Sequence, residues 1–309
     1  MSTTAGLVTE YGGTRLTVDT LASIREEEPL CAPVLKSGST HSITAEGGGG
    51  KSLLALEMSL AVSRGTPCLL QGSTEPKRVL YLDFEMGRAK YIRRARKMGV
   101  DVLAQDVPNL VYRQGLRLPS LDDPKGAVGL LALVEDAQAE LVVIDTLSKA
   151  VLGEESSNTV FSRFARYSLS PLTDAGVAVL ILDHFGYKKT RARGASAKRD
   201  NVDLNYVLKR QKGGTKDDLQ LILDKDREDE GEDGRVVLKL HRVNDPVLHH
   251  MVPDELGMRP NVKRAVEFIE GFALVNEQPP TRREVQSEAN VSPAVAGTAL
   301  SIYRQREAA

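Results

Sequence analysis

Four consecutive glycines, Gly47 to Gly50, are followed at once by Lys51 and Ser52, at the junction of a short apolar run and a long amphipathic one. That junction leaves few folds open. The stretch HSITAEGGGGKSLLALEMSLAV reads as strand, glycine-rich turn and helix. Such a turn lets successive backbone N–H groups point inward at a phosphate, and the following helix adds the positive end of its dipole. Ala45 to Ser52 has the spacing of a phosphate-binding loop, with alanine in the first place. The backbone of Glu46, Gly47, Gly48, Gly49, Gly50, Lys51, Ser52 and Leu53 would wrap the nucleotide. Lys51 would neutralise the β- and γ-phosphates, and Ser52 would coordinate a bridging Mg²⁺. An ordinary glycine turn has no need of Lys-Ser at this point. The expected ligands are ATP and Mg²⁺, although the residues themselves do not select adenine over guanine.

Downstream, the runs RVLYLDFE, LVYRQ, ELVVID, VAVLILDH, LNYVLKR, LQLILDK and VVLKLHRV alternate with helical stretches that follow Lys51, Arg88, Lys125, Thr159 and Ser196. This alternation predicts an α/β fold, a mostly parallel sheet flanked by helices. The acids between Glu228 and Asp233 belong at a solvated tip, which makes the last two long strands a hairpin. The expected organisation is an N-terminal arm over 1–34, the α/β domain over 35–252, a Pro- and Gly-containing linker over 253–260 and a helical module over 261–309. In that module Thr281 caps the second helix, Asn290 to Ser292 turn, and Pro293 opens the third, a helix-turn-helix (winged-helix-like) pattern.

Composition narrows the function classes. Forty-one Lys plus Arg oppose forty-two Asp plus Glu for a net charge of -1, so nucleic-acid binding has to come from local patches. No apolar run reaches membrane-spanning length and the N-terminus lacks a secretory pattern, so a cytoplasmic protein with no membrane partner is expected. Cys31 and Cys68 lack metal-ligand spacing and are expected to be reduced thiols.

Hydrolysis needs an acid that orders the metal and a group that orients water. The buried run ELVVID ends in Asp145, placed to hold Mg²⁺ through water. Ligands bind α/β sheets at the carboxyl ends of the strands, so of Asp83 and Glu85 the latter is the better water-orienting base. His184, at the end of VAVLILDH, is placed to contact the γ-phosphate or report its loss.

These pieces together resemble the RecA-fold ATPases of the group that contains the RepA and DnaB-type replicative helicases. The motifs carrying the likeness are AEGGGGKS, VLYLDFEM, LVVIDTLSKAVLGEESSN, LDHFGYKKTRARGASAKRDNVD and DKDR, spread over roughly Thr17 to Val252. The resemblance implies that Glu85 activates water, that His184 couples nucleotide state to a DNA-facing loop, and that Lys225 and Arg227 reach into a neighbouring subunit's nucleotide. It implies a homo-oligomeric, hexameric ring. A compact RepA-like protein fits better than a full DnaB, because only a short arm precedes the ATPase segment.

The segment after His184 carries Lys188, Lys189, Arg191, Arg193, Lys198 and Arg199 and no acid before Asp200, a patch suited to gripping a phosphate backbone without reading sequence. In the C-terminal module the third helix begins Ala294-Val295-Ala296-Gly297, which offers little to base edges. It is therefore expected to hold phosphates or to dock a replication or loader protein. The expected function is a ring-forming, Mg²⁺-dependent ATPase that translocates on or unwinds single-stranded or forked DNA. The competing readings are a RecA-like loader, recombination mediator or assembly switch without unwinding, and a DNA-binding regulator with a structural nucleotide.

Overall fold

The computed structural model describes residues 28–69, 75–100, 107–153, 157–184, 195–226, 234, 236–244, 246–251, 260–276, 278–293, 295–297, 299–300 and 303. A nine-stranded sheet forms the frame. In chain order the elements are β1 (Pro29–Cys31), β2 (Leu35–Lys36), β3 (Thr40–Ala45), α1 (Lys51–Arg64), β4 (Val79–Asp83), α2 (Arg88–Lys97), β5 (Leu110–Gln114), α3 (Pro124–Ala137), β6 (Leu141–Asp145) and α4 (Leu147–Ala150). They continue with α5 (Asn158–Phe164), a π turn over Ala165–Leu169, α6 (Ser170–Asp174), β7 (Ala178–His184), α7 (Ala195–Asn201), β8 (Leu204–Arg210), β9 (Asp218–Asp226), β10 (Val236–Asn244) and β11 (Val247–Met251). Two further helices, α8 (Pro260–Asn276) and α9 (Arg282–Glu288), belong to the C-terminal module.

The strand order is β11-β10-β9-β8-β3-β7-β6-β4-β5. From β8 to β5 all neighbours run parallel, and β9, β10 and β11 add antiparallel ribbons. Strands β4, β6 and β7 are apolar on both faces up to their acidic ends, because helices cover both. Val79, Tyr81, Val143, Leu180 and Leu182 face the layer that includes α1. Their neighbours Leu80, Leu82, Val142, Ile144, Val179 and Ile181 face α3, α5 and α6. The period of two and the parallel register bring the carboxyl ends level: Ala45 pairs with His184, and Asp83 with Asp145. His41 is buried in β3, where loss of hydration lowers its pKa to about 4.

Every long strand and every helix of the α/β part expected from sequence is present, and the β9–β10 hairpin forms with its acidic tip lying outside the described residues. Two expectations change. The short hairpin β1–β2 puts Leu30, Cys31, Val34 and Leu35 into the main core, so the core draws on residues before 35. The same hairpin brings Cys31 to Cys68 as a disulfide with Cα atoms 5.3 Å apart, correcting the expectation of two free thiols. A separation of 37 residues hid that proximity from the sequence. The linker over 253–260 lies outside the described residues except for Pro260, which opens α8.

The C-terminal segment has a core of its own, with Ala265, Ile269, Val285, Ala289, Ala296 and Ala299 buried. Thr281, the expected cap, accepts from the Glu284 backbone while the Glu284 carboxylate reaches back to Thr281, which makes a capping box. Asn290 turns with φ 50°, and helix resumes at Pro293. Among the described residues no strand follows α8, so a wing has no counterpart there. Among them also, no helix is long and apolar enough to cross a membrane.

Candidate nucleotide site

The cradle forms where β3 ends. Gly48 and Gly50 adopt φ of 74° and 97°, which lets the chain double back before α1 begins. The Gly49 N–H donates to the Glu46 carbonyl at 2.9 Å, and a Cβ on Gly49 would stand 2.9 Å from that same oxygen. A side chain there would block the turn. Glu46, Gly47 and Gly48 are exposed, so the concave side of the loop is open to a phosphate.

Lys51 is 5% exposed, and its ammonium stands 3.0 Å from each ring nitrogen of His184. His184 Nε2 lies 3.5 Å from Glu85 Oε2, which also accepts from the Thr146 hydroxyl at 3.3 Å. One tautomer satisfies both contacts, with Nδ1 accepting from Lys51 and Nε2–H directed at Glu85. Burial acts to raise the Glu85 carboxyl, but the hydrogen bond and charge of His184, with Lys51 and Thr146, outweigh it and hold Glu85 below its ordinary value. It therefore stays an acceptor through the neutral range.

Ser52 Oγ donates to Asp145 Oδ1 at 3.1 Å, and Tyr81 donates to the other carboxylate oxygen at 2.7 Å. Burial pushes the Asp145 carboxyl up, with the negative Asp83 adding to it and the bonds from Tyr81 and Ser52 opposing. A divalent cation at this point would relieve that cost. The donors, one hydroxyl and one carboxylate, are hard oxygens of the kind Mg²⁺ prefers. Ser52 and Asp145 would hold such an ion, and it would neutralise phosphate charge.

Asp83 differs from Glu85 in kind. It is 1% exposed, accepts from the backbone N–H of Glu85 and Met86 at 3.0 and 2.5 Å, and takes the Tyr112 hydroxyl at 2.7 Å. Its work is to shape the turn that presents Glu85. Tyr112 stacks on Tyr81 and on Tyr91 with centroids 5.0 and 3.7 Å away, so an aromatic column positions both carboxylates from below. Nothing in the spacing of VLYLDFE or LVYRQ singled out those tyrosines; only the pairing of β4 with β5 brings them together.

The structure thus brings Lys51, Ser52, Glu85, Asp145 and His184 to one place. The remaining expected residues lie elsewhere. Lys198, counted among the nucleic-acid cations, is turned inward: its ammonium binds Asp183 at 2.8 Å and Thr44 at 3.0 Å with 15% of the side chain exposed. That corrects its assignment, because a buried carboxylate has taken the charge. Asp183 also accepts from the His184 N–H at 2.8 Å, so Lys198 pins the start of α7 to the strand end that carries His184. Lys188, Lys189, Arg191, Arg193 and Arg227 lie outside the described residues, and Arg199 is placed in α7 by its backbone alone. Lys225 lies on β9 in register with Asn205, which is itself level with Ser42, three residues below the end of β3.

One neighbour of the cradle went unnoticed in the sequence. Arg242 on β10 holds Asp217 through Nε at 2.9 Å and Nη2 at 2.5 Å, and its Nη1 lies 3.4 Å from where a Cβ on Gly50 would sit. A positive group therefore backs the phosphate loop from the antiparallel ribbon. Its signal was a lone arginine in a strand, which sequence cannot distinguish from a surface charge.

Comparison with known proteins agrees with this geometry. Residues 14–190 match the family model AAA_25, described as an AAA domain. Among solved structures, a KaiC-like protein from the hyperthermophilic archaeon Pyrococcus horikoshii OT3 superposes with a TM-score of 0.53 at 15% identity, covering 74% of this chain and 98% of that one. The likeness is one of fold. The chain belongs to the AAA domain family and is a P-loop ATPase of the RecA fold.

Proposed function

We propose that this ATPase assembles into a ring, hydrolyses ATP with Mg²⁺ at the contact between subunits, and uses the cycle to move along or unwind DNA. The observation that carries the reading is the contact chain Lys51–His184–Glu85 beside the Ser52–Asp145 pair. His184 contacts the Lys51 ammonium. A triphosphate draws the ammonium onto its β- and γ-oxygens, which frees the imidazole to face the γ-phosphate while Glu85 orients water from the open side. Ser52 and Asp145 would hold the metal, which would supply charge to neutralise the phosphates.

His184 is also where the basic segment begins. The far end of that segment, at α7, is tied back to the same strand end by Lys198 and Asp183. A change of partner at His184 therefore acts on a loop of cations with two fixed ends. Lys188, Lys189, Arg191, Arg193 and Arg199 are proposed to grip the strand backbone, without base reading. Lys225 supports the trans reading, since β9 runs antiparallel to β8 and leads away from its own cradle. With Arg227 it would serve the next subunit's nucleotide, as fingers supplied in trans do.

The C-terminal module is proposed to be a helix-turn-helix that docks a protein partner. Arg264 donates to the Ala289 and Asn290 carbonyls, and Arg282 donates to the Pro293 carbonyl. Both guanidiniums are used inside the module, where they satisfy helix-end and turn oxygens.

Hydrolysis measured with and without single-stranded oligonucleotide, alongside displacement of a strand from a forked duplex, tests the reading. Single-stranded DNA is expected to raise the rate by about tenfold or more, up to the roughly 10³- to 10⁵-fold that a finger in trans can supply, and the fork is expected to open only with ATP. Stimulation without opening assigns the protein to loading or assembly switching. A rate indifferent to DNA overturns the DNA-driven motor.

A further inference from the structure

Helix α2 has no part in the site just described, yet RAKYIRRARK carries Arg88, Lys90, Arg93, Arg94, Arg96 and Lys97 and not one acid. Its inner side is set by buried Ala95 and by Tyr91 stacked on Tyr112. At 3.6 residues per turn, Lys90, Arg93 and Lys97 fall in one line on the opposite side. All three are exposed, as is Arg96 beside them.

Nothing local favours this arrangement. Lys90 with Arg93 and Arg94, Arg93 with Arg96 and Lys97, and Arg94 with Lys97 stand three or four residues apart, the spacing at which like charges destabilise a helix. Arg88 and Lys90 lie in the first turn, against the positive end of the helix dipole, and no acid offsets them there. Among the described residues no carboxylate pairs with any of the six, and Nη1 of Arg94 is buried without a hydrogen-bond partner. The fold gains nothing from these charges, whereas a bound polyanion would satisfy them.

The outward face decides which polyanion. A helix that lies on an anionic bilayer presents large apolar side chains along one side. In α2, Tyr91 and Ile92 are only partly exposed and Ala95 is buried, and the exposed large hydrophobics among the described residues, Val128 and Leu152, lie elsewhere. A nucleic-acid backbone needs only the charge. Lys90 to Lys97 rise about 10 Å along the axis, which matches about three phosphates at roughly 3.4 Å per strand. Arg88 also follows Glu85 by three residues, through a turn whose Glu85 and Met86 amides donate to Asp83. A strand held on α2 therefore borders the side of the cleft where Glu85 stands.

We propose that α2 is a second nucleic-acid surface, on which Lys90, Arg93, Arg96 and Lys97 hold the phosphodiester backbone of a strand without reading its bases. The proposal rests on the reading of a DNA-bound ATPase and adds a contact separate from the segment after His184.

Charge removal tests it. One variant neutralises the face (Lys90→Gln, Arg93→Gln, Arg96→Gln, Lys97→Gln), with glutamine close to lysine and arginine in helix propensity. A second keeps the charge (Arg93→Lys, Arg96→Lys). A third removes as many exposed cations from the β8–β9 turn (Lys209→Gln, Arg210→Gln, Lys212→Gln, Lys216→Gln) and controls for net charge. Binding of a labelled oligothymidine is read by fluorescence anisotropy over a salt series, with a non-hydrolysable ATP analogue present. The neutral helix variant is expected to bind about tenfold or more weakly near 0.1 M salt, with a log–log salt slope shallower by about 2, the share of three phosphates on a single strand. The other two variants are expected to stay within about threefold, because a backbone grip asks for local charge and not for a guanidinium fork. Relief of like-charge pairs should leave the melting temperature of the neutral helix variant unchanged or raised. A fall returns these charges to the fold and overturns the proposal, as does an equal loss of binding in the β8–β9 control. Unchanged affinity and slope in the helix variant remove this surface alone, whereas an unaltered protein that binds no oligonucleotide at low salt removes the DNA reading with it. Phosphatidylserine vesicles bound by the unaltered protein and lost by the helix variant, with its oligonucleotide binding intact, give α2 to a membrane and also overturn the proposal.

Discussion

ATP binding weakens roughly 10²- to 10⁴-fold when Lys51 is replaced by alanine, the outcome expected when one partner of a buried charge pair is removed at about 3–5 kcal/mol. The residue is almost wholly buried at the first turn of α1, directly after the glycine cradle. Its ammonium meets His184, and the β- and γ-oxygens of a bound triphosphate would take over that contact. Without the ammonium, only the loop amides, the helix dipole and the metal face the phosphates. Titration calorimetry with ATP and Mg²⁺ reads the loss directly, and an affinity within threefold of the unaltered protein would contradict the assignment.

The second large effect separates binding from chemistry. Glu85→Gln is expected to lower the hydrolysis rate roughly 10²- to 10⁴-fold, the range for removing a positioned general base. ATP affinity should change by no more than a few-fold. Glu85 stands on the open side of the site with 46% of its side chain exposed, and glutamine preserves its size and the contact to Thr146. Neither described carboxylate on the adjoining strand ends can take its place. Asp83 is buried and occupied by two backbone amides and Tyr112, and Asp145 is committed to Ser52 and Tyr81. A single-turnover measurement that shows normal hydrolysis in this variant removes Glu85 from the mechanism.

Much of the site was legible because its constraints are local. A phosphate loop needs glycines, lysine and serine consecutive in the chain, so AEGGGGKS announces itself without any knowledge of what packs beside it. Strand-terminal acids were readable for a related reason: buried apolar runs end abruptly at Asp145 and Asp183, and parallel order brings such ends to one edge. What stayed hidden depends on lateral neighbours. Tyr81 and Tyr112 look like ordinary apolar positions until β4 and β5 pair. Lys198 looks like one of a run of loop cations until α7 folds back over Asp183. Arg242 and the Cys31–Cys68 bridge join segments whose approach no local pattern encodes. The cationic α2 was overlooked for the opposite reason, since charged helices are common and only the lack of pairing partners marks this one.

The central claim is that each ATP is hydrolysed between two subunits, one supplying the cradle and the next supplying the finger. Mixing two inactive variants tests it most directly. Lys51→Ala keeps Lys225 and Arg227 but lacks a working cradle, and Arg227→Ala keeps the cradle but lacks a finger. In an equal mixture about one site in four combines an intact cradle with an intact finger by random pairing around a ring. The predicted result is hydrolysis well above the sum of the two variants alone, rising towards a quarter of the unaltered rate. A mixture no more active than that sum, or an Arg227→Ala protein fully active by itself, would contradict the account.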